Sequence, residues 1–187
     1  MSFDRPMRLS LLAALAICVA AGPAAAITVV PMSFAELVNA STSVVYARVA
    51  DVQGRWTDDR RSIESVVTVE VLTPLKGAPG ETLTLAVPGG RAGRFINLWP
   101  GAPTFASGDL VVLFLTARGP RLPGPTGFTQ GIYRVMADGR SGAMLVVPPL
   151  VGDLGPDTRI VRGDPRRRPL SLPDFEAAVQ AAQVAGR

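Results

Sequence analysis

The segment VPGGRAGRFINLWPG, residues 87–101, sets three glycines at 89, 90 and 93 around Arg91 and Arg94. Glycines that let the backbone approach a ligand, flanked by cations, are the ingredients of a phosphate cradle. Such a cradle needs a strand before the glycines and a helix N-terminus after them. The strand is present as TLTLAV. The residues after the glycines alternate as strand residues do, and Pro100 and Gly101 then turn the chain. The pattern therefore predicts a hairpin tip rather than a nucleotide loop. Arg91, Arg94, Phe95 and Trp99 make it the first candidate for ligand binding.

Other chemistry is limited by what the chain lacks. There is no histidine, so a Ser-His-Asp or Cys-His arrangement has no base near neutrality. Cys18 is the single cysteine, which leaves zinc without its usual ligands. Lys76 is the only lysine and reads as a solvated turn residue. Asp58 with Asp59, and Asp153 with Asp157, lack the dense spacing of a calcium loop. Glu64 and Glu70 fall about 20 Å apart along one strand, too far to act as a hydrolytic pair. No catalytic residue, metal or cofactor is expected. Arginine dominates the net charge of +4, with a run at DPRRRP, residues 164–169. It interleaves with aromatic residues at Arg55–Trp56 and at Arg94–Phe95–Trp99.

The ends of the chain bound the setting. Arg5 and Arg8 precede an apolar run over residues 9–21, Gly22-Pro23 breaks it, and three alanines follow. This is the layout of a secretory signal peptide cleaved after Ala26; an uncleaved anchor is the alternative. Residues 1–26 are thus read as leader and 27–187 as one domain, periplasmic or secreted. Cleavage removes the only thiol. No other stretch is long and apolar enough to span a membrane.

The elements follow from periodicity. Ser33 and Glu36 form a capping box for a short helix over residues 33–40. SVVYARVADVQGRW reads as a strand with Val45, Ala47 and Val49 on one face. IESVVTVEVL alternates, with Ile63, Val67, Val69 and Val71 opposite Glu64, Thr68 and Glu70. TLTLAV alternates again. DLVVLFL is apolar on both faces and is expected to be central. TARGPRLPGPTG reads as a proline-rich loop, FTQGIYRVM as a strand, ADGRSG as a hairpin turn and AMLVV as its returning strand. Residues 148–169 read as a surface loop with a short strand at TRIV. Ser171 and Asp174 are expected to box a C-terminal helix, with Phe175, Val179 and Ala182 as its apolar stripe. The fold class is mainly β: a small antiparallel barrel with a short helix before it and a longer one after it.

From Ser43 to Leu115, the order SVVYARV, VTVEVLTPLKG, a β-ribbon and FASGDLVVLFL resembles bacterial netrin-like domains. These are OB-fold barrels related to tissue inhibitors of metalloproteinases. The resemblance implies an OB-like barrel and an extracytoplasmic binding or accessory role. The family's disulfides and its zinc-directed N-terminal cysteine have no counterpart here, since the mature chain is expected to begin Ile27-Thr28. The function expected is a non-enzymatic binding or accessory domain, with an envelope or extracellular protein as partner and no nucleic acid. The alternatives are a module that binds polyanions through arginine-rich loops, and a hydrolase with an unrecognised site.

Overall fold

A computed structural model describes residues 30–139, 141–149 and 168–186. The leader, the predicted strand at TRIV, Asp153 with Asp157, and most of the 164–169 arginine run lie outside the described residues.

Helix α1 (Phe34–Ala40) starts at Ser33 as the capping box requires: Ser33 Oγ accepts from Glu36 N, and the Glu36 carboxylate accepts from Ser33 N at 2.7 Å. Strands β1 (Ser43–Trp56) and β2 (Ile63–Lys76) follow, each of 14 residues. They are joined by the polar turn expected at residues 57–62. The β1–β2 ladder shifts register at Val44/Val45, Tyr46/Ala47 and Val49/Asp51. Such bulges bend long strands and strengthen their twist, so the sheet curls. Strand β3 (Thr82–Pro88) completes the meander.

Next comes a separate hairpin, β4 (Gly90–Ala92) and β5 (Phe95–Asn97). Strand β6 (Leu110–Arg118) pairs with β1 on one edge. Its other edge is divided between β7 (Arg121–Pro125) and β8 (Ile132–Ala137). Strand β9 (Met144–Val147), the short β10 (Leu170–Ser171) and helix α2 (Leu172–Ala185) finish the chain. The antiparallel path is β10–β9–β8–β6–β1–β2–β3, with β7 on β6. The sheet curls until β3 lies beside β7. Among the described residues no strand pairing closes the seam.

The sheet buries both faces of its centre. Val111 to Leu115 of β6 are all buried, as expected from a run apolar on both sides. Val111, Leu113 and Leu115 join Val45, Ala47, Val49, Val67, Val69 and Leu85 in an aliphatic core inside the curl. Val112 and Phe114 face the other way, into a core with Phe34, Tyr133 and Phe175 beneath the two helices. The stripe of Phe175, Val179 and Ala182 is buried as expected.

Four local expectations change. The proline-rich segment after β6 is not all loop: residues 121–125 form β7. Proline is admitted there because β7 is paired only to β6, so its missing N–H groups cost no central ladder bond. The strand expected from Phe128 begins instead at Ile132, after a 3-10 turn at Phe128–Gly131. That turn buries Gln130, whose amide accepts from Met32 N at 2.8 Å and donates to Val30 O at 2.9 Å. A buried amide needs such partners, and they tie the segment before α1 to the sheet. At α2, Asp174 reaches the Ser171 hydroxyl at 2.6 Å rather than its N–H, so only half of the expected box forms. Lys76 is not a solvated turn residue either. Its ammonium donates to Val38 O at 2.7 Å and Asn39 O at 3.4 Å, capping the carbonyl end of α1.

Candidate functional site

The β4–β5 hairpin is built on the far end of the β1–β2 ribbon. The two-residue turn is Gly93-Arg94, between Ala92 and Phe95. Gly93 has φ +60°, the left-handed value a tight hairpin asks of its first central residue. The hairpin predicted from the sequence is therefore present, and no helix follows the glycines.

Gly54 explains how the hairpin sits. A Cβ at Gly54 would lie 1.9 Å from the Arg91 carbonyl oxygen, so β4 rests directly on the backbone of β1. Across the ladder, Ser65 Oγ donates to Gly89 O at 2.8 Å, and Gly89 N donates to Ile63 O at 2.9 Å. Asn97 donates its amide to Ser62 Oγ at 2.7 Å. These bonds tie the hairpin to the start of β2, where Ile63 is buried.

The hairpin's apolar residues nevertheless face solvent. Phe95 and Trp99 are half-exposed, Ile96 is 54% exposed and Leu98 84% exposed. Trp56, at the end of β1, joins them, its ring centroid 5.4 Å from that of Phe95 in an edge contact. Of the four residues predicted for the site, the structure brings Arg94 and Phe95 together: the guanidinium carbon lies 5.1 Å from the ring centroid. That is cation–π distance. Arg91 pairs with Ile96 in register, which puts those two on the opposite hairpin face from Phe95. Trp99 lies at the base, its Cβ beside Gly89. Trp56 was noted in the sequence only beside Arg55. Its contact with Phe95 is a tertiary pairing that spacing could not supply.

Several other candidates are already committed. Arg55 and Arg48 stand directly across the ladder from Glu64 and Glu70. They make ion pairs with those carboxylates at 2.8 Å and 3.4 Å. Asp59 accepts from Thr57 Oγ1 at 2.6 Å and Arg61 N at 3.1 Å. The Thr57 hydroxyl first, and then the Arg61 amide, hold its carboxyl below the ordinary aspartate value. It is a turn-forming aspartate. Among the described residues no group of three His, Cys, Asp or Glu side chains could hold a metal ion.

A second feature had no signal in the sequence. Phe105, Asp109, Arg134 and Met136 line an open depression of about 400 Å³. Its guanidinium is occupied: Arg134 bonds Asp109 Oδ2 at 2.5 Å and the Thr104 carbonyl, over the Phe105 ring. Asp109 Oδ2 also accepts from Ala106 N at 2.9 Å. The set staples the loop before β6 to β8.

No family model, no curated protein and no solved structure matches the chain.

Proposed function

We propose that this chain is an exported, non-enzymatic binding or accessory domain whose contact surface is the β4–β5 hairpin together with Trp56. One observation carries the reading. Trp56, Phe95, Ile96, Leu98 and Trp99 are all left exposed on or beside a hairpin seated by hydrogen bonds, with Trp56 and Phe95 in edge contact. A clustered apolar surface of this kind marks an interaction site, unlike scattered exposed apolar residues. The resemblance of residues 43–115 to netrin-like domains points the same way, as does the signal-peptide layout of residues 1–26. The absence of histidine and of a mature thiol argues against acyl-transfer chemistry. For the arginine-based alternative, Arg48, Arg55 and Arg134 are already held by carboxylates, whereas the hairpin itself carries Arg91 and Arg94.

A photo-reactive residue at Leu98, compared with one at the exposed Glu70, tests the reading in the producing cell. Adducts are expected from position 98 and not from position 70. Equal labelling at the two positions, or none at either, overturns it. So does turnover of a hydrolase substrate that a single substitution abolishes.

A further inference from the structure

We infer that the β4–β5 hairpin is an interfacial wedge that docks on an anionic lipid bilayer; this rests on the reading of the hairpin as the contact surface and names its partner. Charge is the first argument. From Thr82 to Gly108 the chain carries no aspartate or glutamate, and its only charges are Arg91 and Arg94. A segment that meets an anionic surface must avoid carboxylates, and each arginine near such a surface adds attraction.

Shape is the second argument. Exposed apolar side chains lie on both faces of the hairpin, Ile96 on one and Phe95 on the other, with Leu98 just beyond. A protein partner with one surface covers one face. A fluid layer of lipid surrounds both. Trp56 and Trp99 are half-exposed around the hairpin, and indole rings favour the headgroup level, where one edge is apolar and the other wet. Size agrees. Strands of 3 residues span about 10 Å, and interfacial anchors sink roughly 5–10 Å.

The chain has 2 tryptophans, and both are in this patch, so selectively excited tryptophan emission reads this surface alone. The mature chain is mixed with vesicles of phosphatidylcholine, or of phosphatidylcholine with roughly a third phosphatidylglycerol. Expected are co-sedimentation with the anionic vesicles only, a blue-shifted emission, and loss of both in high salt. R91Q and R94Q should each weaken partitioning roughly fivefold. L98D should weaken it at least tenfold, an order-of-magnitude expectation for placing a charge in the apolar layer, while its unfolding midpoint stays that of the parent.

Binding that ignores lipid charge, or that L98D leaves intact, overturns the inference. Failure to bind vesicles, with position 98 crosslinking to a protein or to a second copy of the chain, removes the lipid and keeps the contact surface. Failure in both assays removes the contact surface as well.

Discussion

Two groups of aromatic side chains divide this domain. Beneath the helices, Phe34, Phe114, Tyr133 and Phe175 are buried, with ring centroids 5.3–6.1 Å apart, mostly edge-on. At the hairpin, Trp56 and Phe95 meet at a similar distance but stay half-exposed, with Trp99 nearby. Strand β1 joins the two, with Val44 in the first core and Trp56 at the second patch. The first group has two amphipathic helices as a lid. The second sits in and beside a short hairpin held by hydrogen bonds. The same residue class therefore holds the fold in one place and is offered outward in the other.

The strongest way to break this contrast is to truncate one ring from each group. Phe114→Ala removes a fully buried ring that touches three other rings, and should cost about 3–5 kcal/mol. Phe95→Ala should cost under about 1 kcal/mol, the scale of an exposed aromatic contact. Urea unfolding of both variants measures the difference. Equal losses would show that the hairpin ring belongs to the core, and the division would fall.

Gly54→Val sharpens the contrast by disturbing one side alone. The new side chain meets the Arg91 backbone, which cannot yield as a flexible side chain would. The expected loss is roughly 1–3 kcal/mol, typical of overpacking. Tryptophan emission should also change, because the hairpin lifts from its seat beside Trp56. An unchanged spectrum would mean that the hairpin does not depend on this close approach.

The sequence made the helix side legible and half of the hairpin side. The alternation of residues 63–71 assigned the faces of β2, and both helix starts were readable from Ser33 and Ser171. The glycines of residues 89–93 announced a turn. What stayed hidden required knowing which strands meet in space. Gly54 could only signal that some backbone comes close, not that it is Arg91. The pairing of Trp56 with Phe95 and the Arg134–Asp109 staple are contacts between distant segments. Pro123 and Pro125 masked β7, because proline punctuates loops as often as it occupies sheet edges.

Smaller effects belong to the helix lid. Lys76→Met leaves the stem in place and removes the ammonium from the last carbonyls of α1. A loss of about 0.3–1 kcal/mol is expected, the worth of a cation at a helix C-terminus, with no change in tryptophan emission. A spectral change would show that the lid and the hairpin are coupled through the 14 residues of β1.

The smallest effect is one of pH. The Ser33 backbone N–H first, and its hydroxyl second, hold the Glu36 carboxyl below the ordinary glutamate value. A depressed carboxylate contributes stability that is present above its unfolded pKa of about 4.3. That contribution is lost as pH falls through the lower folded value. Glu36→Gln keeps an oxygen that can accept from Ser33 N but removes the titration. The urea midpoints of the two proteins should therefore differ most near neutrality and converge on acidification below the ordinary glutamate range. The parent should show the steeper decline. Parallel curves would mean that the cap works through its hydrogen bonds alone, and that charge contributes nothing to holding the lid over the buried rings.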